Sequence, residues 1–143
     1  MSTTFEYLAT TIEQTVESPL PEWVVLALHA HDLTTIASRE GHCYKVCLAL
    51  ADFAAAAGVQ INIVHGSVLN EDGERHPHAW VEQGDVVFLT SHANLVSFRE
   101  FKRVNTAKRH RVYSARQVCR LAEQEDTCGP WHKEPFGKVW YQS

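Results

Sequence analysis

Residues 41–58 read GHCYKVCLALADFAAAAG and contain the strongest helical pattern of this 143-residue chain. Apolar side chains recur there at spacings of three and four, which predicts an amphipathic helix over Cys43–Ala57. Gly58 follows directly, and glycine is the residue that most often ends a helix in the left-handed conformation. The many alanines predict close packing on other elements, as in a central buried helix. The apolar stripe consists of Val46, Cys47, Leu50, Phe53, Ala54 and Ala57.

The rest of the chain predicts further helices and an antiparallel sheet. After Gly58 apolar and polar residues alternate, as is typical of strands, and polar turns separate the alternating stretches. The predicted elements occur in the order helices, strands and a closing helix. This order predicts an α+β fold in which the central helix packs on a small antiparallel sheet. Residues 34–41 are predicted as a polar connection, and no element is predicted over 98–105. The strands are expected at 59–69, 78–82, 86–90 and 111–113, and the other helices at 5–17, 22–33 and 115–125.

Length and composition narrow the class of protein. A single domain over residues 1–143 is the simplest organisation at this length, and the 45% hydrophobic and 21% charged content is that of a globular protein. No apolar run approaches the ~20 residues of a membrane span, so no membrane partner is expected. Residues 1–17 lack the basic and apolar regions of a signal peptide. We therefore expect a cytoplasmic protein with reduced thiols.

Charge is unevenly distributed along the chain. The net charge of −4 argues against nucleic acid as the main partner. Residues 99–120 nevertheless contain eight basic side chains and one acid, Glu100. Two interpretations are open: a solvated basic face, or a site for an anionic partner such as phosphate, nucleic acid or an acidic protein. The basic residues are Arg99, Lys102, Arg103, Lys108, Arg109, Arg111, Arg116 and Arg120.

Cys43 and His78 are the candidate chemical pair. A cysteine at a helix N-terminus has its thiolate favoured by the helix dipole, and a histidine beside it can take the thiol proton. In a strand, His78, Trp80 and Glu82 share one face. If the sheet packs on the long helix, His78 can reach Cys43 and Trp80 can shield the site from water. The simpler alternative for each residue alone is a structural role.

Several motifs together resemble a known family. The Gly41-His42-Cys43-Tyr44 motif, the alanine-rich helix, a strand ending near Gly66 and the 78–82 sequence HAWVE resemble transglutaminase-like members of the papain-like cysteine hydrolase superfamily. Small phage and bacterial proteins of this kind are similar also at residues 129–131, Gly-Pro-Trp, so the resemblance covers about residues 35 to 131.

The resemblance implies a papain-like fold and an enzyme without a cofactor. Cys43 is then the nucleophile and His78 the general base. The expected activity is that of a cysteine protease, another thiol hydrolase or an acyltransferase, acting on an amide of a peptide or protein substrate through an acyl-enzyme.

The third member of the expected site departs from the family pattern. Relatives carry an aspartate in a pattern like Val-x-Asp-x-Thr-Ser, whereas residues 86–91 read VVFLTS, with Phe88 or Leu89 at that place. Loss of an orienting carboxylate can cost up to several orders of magnitude in rate in a serine protease. His92 is the first-choice substitute, followed by Asn94 and by Asp85, which is also explained by turn formation.

Other parts of the site are predicted from position. His42 and Trp80 are candidates for the cleft or oxyanion region, with His76 as a further cleft residue. The Cys43 backbone N–H is expected to donate to an oxyanion, together with a second donor from residues 38–42.

Two alternatives to an active thiol enzyme remain open. A papain-like scaffold that has lost its activity would act as a binding module, using the basic segment for a protein or anionic partner. A zinc site built from Cys43, His78 and His92, with Cys119 or Cys128, is disfavoured because no Cys-x-x-Cys or His-x-x-x-His pair is present. We therefore expect no metal.

Overall fold

A computed structural model describes residues 20–91 and 93–131 of the chain. The helix predicted over 5–17 and His92 lie outside these residues. The described helices are α1 (Glu22–Ala30), α2 (Ile36–Arg39), α3 (Cys43–Ala57), α4 (Phe98–Asn105) and α5 (Ala115–Glu125), and the strands are β1 (Asn62–Leu69), β2 (Arg75–Gln83), β3 (Val86–Leu89), β4 (Asn94–Ser97) and β5 (Lys108–Ser114).

The five strands form one antiparallel sheet in the order β4-β3-β2-β1-β5. The α+β class with a central helix on an antiparallel sheet is confirmed, because α3 contacts β2 as well as α1 and α5. Strand β2 is longer than β3, and its pairing with β3 covers only Val81, Glu82 and Gln83. The first half of β2 is therefore not paired with β3.

The two sides of the sheet have separate cores. On the side that we call face A, strand residues pack with α1, α3 and α5; on the opposite side, face B, they pack with Phe101 of α4 and with Ala107. Burial of these apolar side chains is the main favourable contribution to folding. Face A carries Ile63, Ala79, Val81, Phe88 and Tyr113, and face B carries Val64, Trp80 and Val87.

Local sequence signals explain the best-predicted helices. Helix α3 begins and ends where the apolar stripe predicts, and Gly58 adopts φ 72° with its N–H on the carbonyl oxygen of Ala54. Helix α5 also matches its prediction. Its N-cap, Ser114, exchanges hydrogen bonds with Gln117 in a capping box.

Other predictions need correction. Residues 34–41 are not simply a polar connection, because Thr35 and Ser38 form a capping box that starts α2. The helix predicted over 22–33 ends at Ala30. Strand β4 and helix α4 occupy 94–105, where the sequence pattern assigned no element. Within the described ranges, no helix combines the length and apolar character needed to cross a membrane.

Candidate active site

Cys43 is the first residue of α3 and is partly buried against the face A core. Its thiol lies within hydrogen-bonding reach of the backbone N–H groups of Ala79, Tyr44 and Cys43 itself. Two of these groups belong to the helix N-terminus, where N–H groups lack intrahelical partners. The third belongs to β2, so the fold brings the start of α3 to the residue that follows His78.

Burial dominates the acidity of the Cys43 thiol. Desolvation raises its pKa, and this outweighs the opposite effect of the backbone N–H groups of Ala79, Tyr44 and Cys43. The helix N-terminus was expected to favour the thiolate, and it does so, but not enough to overcome burial. Cys47, one turn further along α3, is 1% exposed, and burial raises its pKa well above the ordinary value. It is a core residue, as predicted.

His78 lies on face B of β2. Its ring centroid is 6.1 Å from that of Trp80, with which it shares this face as predicted. The expectation that this face packs on the long helix is wrong, because Ala79 and Val81 occupy the helix-packed side. Thiol and imidazole therefore approach the peptide unit between His78 and Ala79 from different sides of the sheet. The edge of β2 at this point is not paired with β3, so β3 does not separate the two side chains there.

Burial also sets the protonation state of His78. Desolvation lowers the pKa of the imidazole to about 4. Since the Cys43 pKa is raised, the resting site at neutral pH contains a protonated thiol and a neutral imidazole. A neutral imidazole can accept a proton, but a pKa of about 4, well below neutral pH, makes His78 a weak general base.

The lowered pKa of His78 predicts a specific pH dependence of stability. Between pH 6.5 and 4 the unfolded chain binds a proton at His78 that the folded protein excludes, so stability is lost as the pH falls through this window. The loss reaches at most about 1.4 kcal/mol per pH unit. Urea unfolding at a series of pH values should show a shallower dependence for His78→Gln. Parallel curves for the two proteins would contradict the assignment.

Trp80 and Glu82 form a buried polar pair behind His78. The indole is 0% exposed and donates from Nε1 to a Glu82 carboxylate oxygen at 2.8 Å. Arg109 donates to the same carboxylate from Nε at 2.9 Å and Nη2 at 2.8 Å. Its guanidinium lies 3.7 Å from the ring centroid of Phe98. Trp80 therefore packs beside the His78 ring on the buried side. The Glu82 carboxylate is hydrogen-bonded to Trp80 and Arg109.

The position of the family aspartate is filled by core residues. Phe88 is 2% exposed and belongs to the face A core, and Leu89 packs on face B. Asp85 is exposed in the turn after β2. Five residue steps, about 17 Å, separate His78 from Gln83 at the end of β2, so Asp85 lies near the other end of the strand. The structure does not bring Asp85 to His78.

Asn94 is the described candidate that shares a face with His78. It pairs with Leu89 at the start of β4, which places both side chains on face B. The residue is 8% exposed, and its Oδ1 has no hydrogen-bond partner among the described residues. It is not hydrogen-bonded to His78, because β3 lies between β4 and β2. A buried acceptor of this kind is nevertheless suited to receive an N–H from an imidazole.

The segment before Cys43 supplies fewer backbone donors than expected. The amides of Ser38, Glu40 and His42 donate to Thr35 Oγ1, to the Ile36 carbonyl and to the Arg39 carbonyl, respectively. The N–H of Ala79 is instead the additional donor beside the thiol. The His42 side chain is exposed at the helix N-cap and makes no capping hydrogen bond.

The basic residues do not form one face. The register between β1 and β5 shifts between His65 and Gly66, so that Arg111 pairs with His65 and Arg109 with Gly66. The extra residue of this bulge lets Arg109 reach Glu82 on face B, whereas Arg111 lies opposite a face A residue. Arg103 pairs with Glu100 on the surface of α4.

Metal-ligand geometry occurs at a different place from the thiol. Across residues 20–91 and 93–131, one group of three potential ligands has its ligand atoms within 4.8 Å of one another: Asp72, Glu74 and His76. It lies at the turn between β1 and β2 with both acids exposed. Cys43 and His78 do not form such a group with a third described ligand.

Arg39 and Thr90 are buried polar residues, in segments that lead to the candidate site residues, that the sequence analysis did not single out. Arg39 is 0% exposed and donates to two backbone carbonyl oxygens, those of Leu33 at 2.7 Å and Ser91 at 3.2 Å. Thr90 is 2% exposed, and its Oγ1 has no hydrogen-bond partner in the described part of the chain. Neither residue has a sequence signal, because arginine and threonine are usually exposed.

These features define a protein with a cysteine at the start of a central helix and a histidine on the strand that this helix contacts. The family model of the transglutaminase-like superfamily matches residues 17–103, more than half of the chain. The chain belongs to the transglutaminase-like superfamily, whose members are generally cysteine hydrolases or acyltransferases. No curated protein and no solved structure gives a significant match.

Proposed function

We propose that this protein has a papain-like fold and is a thiol hydrolase or acyltransferase that acts on an amide of a peptide or protein substrate. The observation that carries the proposal is the Cys43 thiol at the α3 N-terminus, held at the backbone N–H of Ala79 next to His78. A nucleophile, a base and several backbone donors then converge on one point of β2.

Acylation begins from the neutral pair. As the Cys43 sulfur attacks the substrate carbonyl carbon, its proton passes to the His78 imidazole, which is neutral at the start. The carbonyl oxygen gains negative charge, and the backbone N–H groups of Cys43, Tyr44 and Ala79, which lie beside the sulfur, are the candidate donors that would stabilise it. The amide C–N bond then breaks, His78 gives its proton to the leaving amine, and a thioester remains on Cys43.

Deacylation decides between the two activities. In a hydrolase, water attacks the thioester carbonyl and gives a proton to His78, the C–S bond breaks, and the proton returns to the Cys43 sulfur. In an acyltransferase, an amine takes the place of water and a new amide forms. The buried environment of His78 keeps it neutral and ready for either acceptor.

A third side chain is needed to orient His78. Asn94 is supported by its position on the same face and by its buried Oδ1. His92, the first choice from the sequence, precedes it by two residues and remains an alternative. A neutral partner suits a mechanism in which no ion pair exists at rest, since it orients the ring without strongly favouring the imidazolium.

The test is capture of the acyl group. Incubation with p-nitrophenyl acetate at neutral pH should release p-nitrophenolate in a burst and add one acetyl group, mapped by mass spectrometry to Cys43. Because the ester is activated, the test needs no knowledge of the natural substrate. Acetylation of Cys119 or Cys128 at the same rate as Cys43 would defeat the proposal.

A second candidate function is binding of an anionic partner by an inactive scaffold. A cavity of about 470 Å³ beside α4 and β5 is lined by several basic side chains. Arg109 in its wall is already paired with Glu82, so the charge open to a ligand comes chiefly from the lysines. The lining residues are Phe98, Lys102, Thr106, Ala107, Lys108, Arg109 and His110.

Charge reversal of the two lysines tests this alternative. The double variant Lys102→Glu, Lys108→Glu should lose binding of inorganic triphosphate measured by calorimetry, and wild-type binding should weaken with salt. Arg116→Glu with Arg120→Glu is the matched control, since it makes the same charge change on α5. Arg109 is unsuitable for reversal, because its loss would leave the Glu82 carboxylate buried without its cation. Equal triphosphate binding by both double variants would exclude the cavity as the site.

A further inference from the structure

Arg39 joins two segments that are far apart in the sequence. It ends α2, is 0% exposed, and donates from Nη1 to the Leu33 carbonyl and from Nε to the Ser91 carbonyl. Leu33 belongs to the connection between α1 and α2. Ser91 belongs to the connection between β3 and β4, residues 90–93. A wholly buried guanidinium is costly unless its donors are used, so its position is strongly determined by these contacts.

Each of the joined segments leads to a residue of the proposed site. Helix α2 leads through Gly41, at φ 75°, to Cys43 at the start of α3. The β3–β4 connection leads to Asn94 on face B. The contact between Arg39 and Ser91 therefore fixes where β4 starts relative to the segment that carries the nucleophile.

The β3–β4 connection has a backbone that needs such a support. Ala93 has φ 51° and is 0% exposed. A left-handed conformation is unfavourable for a residue with a Cβ, and it persists where the surroundings determine it. Arg39 supplies a charged donor to this connection, two residues before Ala93.

We propose that Arg39 is a positioning residue: it anchors the β3–β4 connection and thereby fixes the start of β4, where Asn94 offers a buried acceptor on the face that carries His78. The anchoring role stands on the contacts of Arg39 alone, whereas the consequence for chemistry rests on the proposed function. Arg39 acts through Asn94 and does not touch the reacting atoms.

Hydrogen exchange tests the anchor without any substrate. In Arg39→Met the amides of residues 90–95 should exchange at least about tenfold faster than in the wild type, because the connection opens locally. Arg75→Met is the matched control, since Arg75 also bridges backbone carbonyl oxygens, those of Ser67 and Thr106, away from this connection. Arg39→Lys keeps a charged donor and should show exchange rates between those of the wild type and Arg39→Met. This variant replaces Arg39→Met in the test if Arg39→Met does not fold. Unchanged exchange at 90–95 would overturn the anchor.

Acylation of Cys43 tests the positioning role. In Arg39→Met the rate at saturating p-nitrophenyl acetate should fall by about 10-fold to 100-fold, with half-saturation unchanged and partial recovery in Arg39→Lys. Faster exchange with an unchanged acylation rate would overturn the positioning role. If the wild type itself is not acylated at Cys43, the proposed function fails and the positioning role with it, and the exchange measurement still decides the anchor.

Discussion

Replacing Cys43 by serine is expected to lower the rate of acyl-enzyme formation by about four to six orders of magnitude. A hydroxyl is a far weaker nucleophile than a thiol, and the site is arranged for sulfur: the N–H of Ala79 points at Sγ, and His78 is a neutral base rather than one end of an ion pair. The measurement is the p-nitrophenolate burst together with the intact mass after incubation with p-nitrophenyl acetate.

The controls separate chemistry from folding. His78→Ala should also acylate slowly at neutral pH, because the raised pKa of Cys43 leaves little thiolate without a base. Cys119→Ser and Cys128→Ser should retain the wild-type burst, since these thiols lie outside the proposed site. Circular dichroism and unfolding of Cys43→Ser should match the wild type. A burst of wild-type size in Cys43→Ser would show that the ester reacts elsewhere.

The second large effect is expected from Gly66→Ala. A Cβ at Gly66 would overlap the carbonyl oxygen of Lys108 and lie 2.5 Å from Cη2 and 3.0 Å from Cζ3 of the Trp80 ring. The first of these atoms is backbone of a paired strand, and the second belongs to a side chain that is 0% exposed, so neither can move freely. Overpacking at such a position destabilises by about 3 kcal/mol or more.

Urea unfolding measures the effect of Gly66→Ala. We expect loss of the paired β1–β5 register and displacement of Trp80, which would also disturb the imidazole of His78. Gly73→Ala is the control: Gly73 has φ 80° with no atom within 4 Å of the added Cβ. It should cost only about 1 kcal/mol, from backbone strain. Equal destabilisation by both substitutions would mean that the close packing above Gly66 is not the cause.

Local signals allowed the elements around Cys43 to be predicted. The stripe of α3 and the glycine after it act within one segment, as do the Ser114 cap and the alternation of β2. Each of these features depends only on residues that are close together in the sequence, so it can be predicted from a single sequence. The order of helix, strands and closing helix then gave the α+β class, and the family followed from short motifs within these elements.

Features that depend on contacts between distant segments could not be predicted in this way. The sequence showed that His78, Trp80 and Glu82 share a face, but only the packed sheet shows that α3 covers the other one. Strand β4 is four residues long and carries too short a pattern to recognise. The hydrogen bond from Arg39 to Ser91 spans 52 residues and has no local signature.

The basic segment illustrates the same limit. Counting charges along 99–120 treats Arg109 and Arg111 as equivalent, and the bulge in β5 separates them. Arg109 is then committed to the buried carboxylate of Glu82, which belongs to β2. A pairing between segments removed one of the cations that the sequence counted as open to a ligand.

The shielded thiol also affects resistance to oxidation. Peroxides attack thiolates rather than thiols, so the rate of sulfenic acid formation follows the fraction that is ionised. Burial raises the pKa of Cys43 and keeps that fraction small at neutral pH. A thiol that is protonated at rest is therefore spared most of this oxidative damage, unlike one that is held permanently as the thiolate of an ion pair.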